Sequence, residues 1–175
     1  MRALASSIQT PDHPLGNPAA GAATRLPPIA ARVALSGVIL AAKLSALADD
    51  FTPIDDLQER LTLLVDRARH APPLPAAART EAHRVLGCIS AVWLTAELRP
   101  DGALAFHADA DSPLVRGLVV GLADFFSGAT PAEIAASDAD PLATLELLAN
   151  LSPTRRNGLT AVRQRIRTLA QSHLA

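Results

Sequence analysis

The chain has 175 residues, of which 49% are hydrophobic and 19% are charged, and this composition suits one globular domain with its own core. Sixteen basic and seventeen acidic side chains give a net charge of −1, which argues against a nucleic-acid-binding surface rich in Lys and Arg. The single cysteine excludes an internal disulfide and favours a reducing compartment, which we expect to be the cytoplasm.

The first 28 residues contain five of the fourteen prolines and only three charged side chains, so we predict a disordered leader there. An organelle presequence is the alternative interpretation. Pro11, Pro14 and Pro18 would interrupt the basic amphipathic helix that such a signal requires. The domain itself is predicted to cover residues 29–175.

Two helices are predicted in the first half of the chain. An Ala- and Leu-rich helix covers 29–48, and an amphipathic helix begins at Thr52-Pro53 and runs to about Arg69. The prolines of "APPLP" (71–75) end the second helix, because proline cannot donate the helical hydrogen bond. The longest charge-free apolar run, 33–42, is far shorter than the roughly 20 residues that span a bilayer, so no membrane helix is predicted.

The middle of the chain changes to an alternating pattern that is typical of a half-buried strand, in Val92, Leu94, Ala96 and Leu98. "RPDGA" (99–103) predicts a turn, and 103–108 is predicted to return as the partner strand. A short strand at 83–86 would complete a three-stranded antiparallel meander. Cys88 would then lie in the loop between the first two strands, and Trp93 is interpreted as a core aromatic of the sheet.

Four helices are predicted in the second half, because each begins with a start signal: Ser112-Pro113, the capping box Thr130-Pro131-Ala132-Glu133, Pro141 and Ser152-Pro153. The first of them is predicted to stop at Gly128, and the third to run through Leu148. In the last helix the apolar side chains are predicted to face inward and Arg163, Arg165 and Arg167 to face outward. The order of helices, a small antiparallel sheet and further helices predicts an α+β fold.

Few residues outside the cysteine loop indicate chemistry, and no phosphate loop, nucleophile elbow or Cys-x-x-Cys motif is present. Asp109 and Asp111 resemble a carboxylate pair, although acidic charge before a helix start already has a structural reason. Arg155 and Arg156 lie in the first turn of a predicted helix, where the helix dipole disfavours cations. That placement hints at a function, and two solvated surface arginines are the simpler interpretation.

Cys88 is the main candidate for chemistry. A lone cysteine is usually an inert buried residue, but Gly87 permits an unusual backbone angle before it and a firm strand follows it. Without a second cysteine, the thiol is either a catalytic nucleophile, with His83 as the available base, or an acceptor of a sulfur atom from another protein. The third alternative is an interaction module with an inert thiol.

Four blocks of the sequence resemble, in the same order, the SufE/CsdE family of sulfur acceptors: "RVLGCISAVWL" (84–94), "ADADSPLVRGLVVGL" (108–122), "GATPAEI" (128–134) and "LSPTRRNGL" (151–159). The resemblance runs from about Asp50 to the C-terminus. It implies the SufE/NifU-like α+β fold, in which a small three-stranded antiparallel sheet packs against helices.

The resemblance also implies a function. Cys88 would accept a persulfide sulfur from a pyridoxal-phosphate-dependent cysteine desulfurase of the SufS/CsdA type, stimulate its turnover, and pass the sulfur on toward an Fe–S cluster scaffold. The protein would itself be no enzyme and would hold no cofactor or metal ion. By motif, the supporting or partner-binding residues would be Gly87, Ser90, Val92, Trp93, Asp109, Asp111, Arg116 and Arg155.

Overall fold

Helices pack against one face of a two-stranded sheet in the computed structural model, which describes residues 29–174, with side chains from residue 39 onward. The predicted leader lies outside the described residues. The elements are α1 (Ile29–Phe51), α2 (Leu57–His70), β1 (Val92–Leu98), β2 (Leu104–Ala110), α3 (Pro113–Phe126), α4 (Pro131–Ala136), α5 (Pro141–Thr144) and α6 (Pro153–Ser172). Short 3-10 helices lie at Ala76–Ala78, Glu81–His83 and Leu147–Asn150. None of the described helices is long and apolar enough to cross a membrane.

The sheet is a hairpin in which β1 and β2 pair antiparallel, from Val92 opposite Ala110 to Leu98 opposite Leu104. Gly102 adopts φ +84° in the turn that was predicted from Pro-Asp-Gly. The α+β class is therefore confirmed.

The prediction of a third strand at 83–86 is wrong, because the described part of the chain has only two strands. Arg84 forms an isolated bridge with Trp93, and the amide of Val85 donates to the carbonyl of Val92 at 2.8 Å. A 3-10 turn precedes this pairing, and Gly87 turns the chain away after it at φ +90°. These two turns limit the pairing to a single bridge.

The hydrophobic core lies between one face of the sheet and the helices. The strands contribute Val92, Leu94, Leu104 and Phe106, all of them buried, and the sheet packs against α3, which in turn packs against α2. Alternation does not persist to the end of β1, since Leu98 is 49% exposed.

Trp93 lies on the opposite face from Val92 and Leu94, because successive strand residues point to opposite sides. It is half-buried, and the guanidinium carbon of Arg79 lies 5.8 Å from its ring centroid. The interpretation of Trp93 as a core aromatic is therefore wrong, and it forms a cation–π contact on the outer face instead.

The break between α1 and α2 falls later than the sequence pattern predicted. Thr52 does not begin a helix, because its hydroxyl donates to the carbonyl of Ala48 at 2.8 Å, at the end of α1. Asp56 is the N-cap of α2, and its carboxylate accepts from the amide of Gln58 at 2.8 Å. The Asp56 side chain thus satisfies a free amide at the start of the helix.

The capping box of α4 is confirmed: Thr130 accepts from the amide of Glu133, and the Glu133 carboxylate accepts from the amide of Thr130. The helix that begins at Pro141 is shorter than predicted and ends at Thr144. Glu146 adopts a left-handed conformation at φ 57°, which separates α5 from the following 3-10 turn.

The three arginines of α6 do not simply face solvent, as the pattern had predicted. Arg163 pairs with Asp140 at 2.5 Å, and Arg167 donates to the carbonyl of Ser137 at 2.5 Å. Arg165 donates to the carbonyl of Ala82 at 3.0 Å. These half-buried side chains attach α6 to the neighbouring loops, because a guanidinium can bridge several carbonyl oxygens.

Candidate functional site

Cys88 lies in a short loop that joins the Arg84 bridge to β1. The two hydrogen-bonded partners at the base of this loop, Val85 and Val92, are both buried. At its surface, Leu86 is 76% exposed and Ile89 is 83% exposed. The loop therefore has a fixed base and exposed aliphatic side chains on both sides of the cysteine.

The Cys88 thiol itself points inward and is half-buried. Its Sγ donates to the carbonyl oxygen of Gly158, in α6, at a distance of 3.4 Å. Burial raises the pKa of the Cys88 thiol above its ordinary value. In this conformation the thiol donates a hydrogen bond, and its raised pKa disfavours the thiolate, which is the reactive form.

A pocket of about 380 Å³ lies beside the sulfur, between the loop, α3 and the start of α6. Besides Cys88, its lining residues are Ile89, Ser90, Val115, Leu118, Ser152, Thr154, Arg155 and Leu159. The apolar members come mostly from the helices and the polar members from the first turn of α6 and the loop. The pocket therefore has an apolar wall, several hydroxyl groups and one positively charged side chain, that of Arg155.

Arg155 is exposed at the rim of this pocket. Its main-chain amide donates to the Ser152 hydroxyl at 3.4 Å, which caps α6. Arg156, the next residue, differs from it, because its Nη1 donates to the carbonyl of Leu151 at 2.7 Å. The structure thus separates the two arginines: Arg156 holds the main chain before α6, and Arg155 lies at the pocket.

Asp109 lies outside the pocket, in a buried ion cluster. Its carboxylate accepts from Arg79 Nη2 at 2.6 Å, from Arg116 Nε at 3.0 Å, and from the amides of Leu74 at 3.1 Å and Ala110 at 2.9 Å. Burial opposes ionisation, but the two amides and the two guanidinium groups outweigh it and hold the pKa of Asp109 below its ordinary value.

Arg116 connects this cluster to the end of α2, because it also donates to the carbonyls of Ala68 and Ala71. Asp111 is exposed, and its amide donates to the carbonyl of Ala91 at 3.2 Å, next to the cysteine loop. The structure therefore brings Gly87, Ser90 and Arg155 together around Cys88, and places Asp109 of β2 and Arg116 of α3 in an ion cluster outside the pocket.

His83 is positioned by its own turn. Its Nδ1 lies 2.8 Å from the carbonyl oxygen of Ala78 and 3.3 Å from the hydroxyl of Thr80. No histidine is among the residues that line the pocket beside Cys88 in the described structure. No group of three potential metal-ligating side chains is found within residues 29–174 either.

Two residues of this region are not indicated by any motif in the sequence. Gly158 lies inside a helix, where glycine costs up to about 1 kcal/mol relative to alanine, and that cost was the available signal. Arg79 lies in an irregular segment far from Asp109 in sequence, and no periodic pattern could relate the two residues.

Fold and site together define a small α+β protein that presents a single thiol on a surface loop beside a partly apolar pocket. The chain belongs to the SufE family, the Fe–S metabolism associated domain, whose model matches residues 45–170.

Individual relatives agree with this assignment. An uncharacterized SufE-like protein of Rhizobium etli is 36% identical over 77% of this chain and 93% of its own length. The sulfur acceptor protein CsdE of Escherichia coli K12 is 31% identical over 69% of this chain and 82% of its own length. A solution structure of a hypothetical protein from Thermus thermophilus shares the fold, with a TM-score of 0.61 and 21% identity, over 75% of this chain and 96% of that one.

Proposed function

We propose that the protein is a sulfur acceptor in Fe–S metabolism and that Cys88 carries the sulfur as a persulfide. The observation that supports this most directly is the position of the only cysteine, on a loop flanked by two exposed aliphatic side chains, in a chain of the SufE family. The similarity to the sulfur acceptor protein CsdE supports the same function. The thiol needs a reducing compartment, and we place the protein in the cytoplasm.

The donor in this proposal is a cysteine desulfurase of the SufS/CsdA type, whose catalytic cysteine carries a persulfide. The Cys88 thiolate attacks the outer sulfur of that persulfide. A new S–S bond forms on Cys88, the S–S bond of the donor breaks, and the donor cysteine leaves as a thiolate. The persulfide proton stays with the transferred sulfur, so the step needs no external oxidant or reductant.

The reaction requires the thiolate, and in the docked complex the first turn of α6 would offer groups that favour it. Arg155 supplies a positive charge, Ser152 and Thr154 supply hydroxyl donors, and the N-terminus of α6 carries the positive end of the helix dipole. The apolar wall that the helices contribute to the pocket would shield the transferred sulfur from water. On this proposal the protein is a substrate and activator of the desulfurase, because removal of the sulfur frees the donor cysteine for the next turnover.

Leu86 and Ile89 are proposed to contact the desulfurase when the loop docks. Burial of these two exposed side chains in the partner would remove apolar surface from water and would favour docking. The sulfur would afterwards pass to an Fe–S cluster scaffold by the same exchange reaction, with Cys88 as the donor.

The experiment is to mix the protein with a SufS-type desulfurase and L-cysteine, and to measure both desulfurase turnover and the intact mass of the acceptor. We expect faster turnover and a mass gain of one sulfur atom that maps to Cys88. The control is Cys88→Ser, which should fold normally and lose both effects. Stimulation by Cys88→Ser equal to that of the wild type would refute the proposal.

A further inference from the structure

A second pocket, of about 290 Å³, lies between α1, α2, α3 and α5 and shares no described lining residue with the pocket beside Cys88. Its wall is mostly apolar and includes Leu47, Leu64, Val120 and Leu142. The volume is at the lower end of the range for small-molecule sites in proteins. The pocket therefore suits a ligand of about the size of a single amino acid.

Four charged side chains line this pocket in the described structure, and two of them already pair with each other. Arg67 Nη2 lies 3.5 Å from the Asp50 carboxylate, and the Arg67 guanidinium carbon lies 5.2 Å from the ring centroid of Phe51. The other two, Lys43 and Asp124, attract each other but form no ion pair in the described structure. They are therefore the two charges that a ligand could bind.

The Asp124 carboxylate has no hydrogen-bond partner within the described part of the chain. Partial burial raises the pKa of Asp124 above its ordinary value, because the nearby charges of Lys43 and His107 do not offset the loss of solvation. A cationic group of a ligand would supply the charge-assisted hydrogen bond that this carboxylate lacks.

Lys43 is held at the pocket by main-chain atoms at the end of α3. Its Nζ donates to the carbonyls of Asp124 at 3.0 Å and of Ser127 at 2.7 Å. An ammonium group has three N–H bonds, so these two contacts leave one for a ligand. Burial lowers the pKa of Lys43 despite the charge of Asp124, and an anionic group in the pocket would stabilise the charged lysine.

We infer that this pocket binds a zwitterionic α-amino acid with a large apolar side chain, whose ammonium pairs with Asp124 and whose carboxylate pairs with Lys43. Such a ligand carries both groups on one carbon atom, so it can bind two charges that form no ion pair with each other. Its side chain would pack on the apolar wall, where burial of apolar surface adds to the affinity. A simple organic anion or cation would match only one of the two charges. The pocket is separate from Cys88, so this inference does not depend on the proposed sulfur transfer.

The test is a titration of the isotope-labelled, full-length protein with L-phenylalanine, followed in amide NMR spectra. We expect saturable shifts at pocket residues such as Ala46 and Gly121. The Kd should be about 1 mM or below, as is typical of a ligand of this size. Glycine, phenylethylamine and phenylpropionate each lack one of the three groups of the ligand, and each should bind at least about tenfold more weakly.

Two variants test the position of the ligand. Asp124→Asn removes the partner of the ammonium and should raise the Kd at least about tenfold. Ala46→Phe adds a ring at an exposed position beside the pocket and should abolish binding, because the ring would occupy the apolar space. Asp49→Asn is the matched control: it removes the same charge from an exposed position of α1 outside the pocket, and it should leave the Kd unchanged.

Absence of saturable shifts up to the solubility limit of L-phenylalanine would overturn the inference. Binding of phenylethylamine or phenylpropionate as tight as that of L-phenylalanine would overturn it too, and so would an unchanged Kd in Asp124→Asn. Binding that appears only after removal of residues 1–28 would assign the pocket to that segment, and shifts that follow protein concentration alone would assign it to a second copy of the chain. Either result would also overturn the inference.

Discussion

The guanidinium of Arg79 contacts the carboxylate of Asp109 at 2.6 Å and also lies 5.8 Å from the ring centroid of Trp93. Trp93 and Asp109 are directly opposite each other in the hairpin, so Arg79 binds both strands at the same register position. Trp93 also forms the bridge to Arg84 at the base of the cysteine loop. This arrangement connects the irregular segment after α2 to the strand that supports Cys88.

We predict that Asp109→Asn destabilises the protein by about 2 kcal/mol, because it leaves two guanidinium groups without their counter-charge. The value is below that of a fully buried pair, since the Arg79 side chain is 40% exposed and remains hydrated. Urea unfolding measures the change. Asp101→Asn is the control, because the Arg99–Asp101 pair is exposed on both sides and should contribute less than about 0.5 kcal/mol. Equal effects of the two substitutions would contradict this prediction.

Because of the same carboxylate, we predict that the unfolding free energy of the protein depends on pH in the acidic range. The pKa of Asp109 is lower in the folded protein than in the unfolded chain, so its contribution is present above the unfolded value of about 4 and is lost as the pH falls through the folded value. The difference in unfolding free energy between wild type and Asp109→Asn should be constant near neutral pH and should shrink below about pH 4. A difference that is independent of pH would show that the carboxylate charge does not stabilise the fold.

The sequence predicted the elements whose signals are local and failed where distant contacts decide. The capping box at Thr130 and the turn at Gly102 depend on neighbouring residues, and both were confirmed. The third strand was wrong because its length is set by turns on either side, which alternation alone does not show. The outward position of Arg163 was wrong because its partner, Asp140, lies in another element.

The site shows the same division. The motif around Cys88 identified the loop, while the contact with Gly158 joins residues 70 positions apart and required the fold. Asp109 could be chosen from its motif, but its burial among arginines from two other segments could not be predicted from its neighbours in sequence.

A different glycine is predicted to control the packing of α3 on α2. A Cβ at position 117 would lie 3.0 Å from the Cα and from the Cγ2 of Val65, so Gly117→Ala should destabilise the protein by about 1–3 kcal/mol through overpacking. Gly121→Ala, one turn later in the same helix, should be neutral or should stabilise by up to about 1 kcal/mol, because alanine favours the helix. Urea unfolding of the pair measures the difference, and similar effects would contradict a close contact at Gly117.

Arg155 and Arg156, which are neighbours in α6, are predicted to have different roles. Arg155→Ala should leave the unfolding free energy and the alkylation of Cys88 nearly unchanged, because no side-chain hydrogen bond of Arg155 is found within the described part of the chain. It should raise the acceptor concentration that gives half-maximal desulfurase stimulation by about five- to tenfold, as expected for an exposed charge at an interface.

Arg156→Ala provides the comparison. It should lower the unfolding free energy by about 1 kcal/mol, because it removes the hydrogen bonds to the carbonyls of Leu151 and Leu148.

A salt titration of the stimulation assay adds a second readout for Arg155. Screening by salt should weaken the stimulation by the wild type more than the stimulation by Arg155→Ala. Loss of stimulation in Arg155→Ala that only follows a loss of folded protein would assign Arg155 a structural role instead.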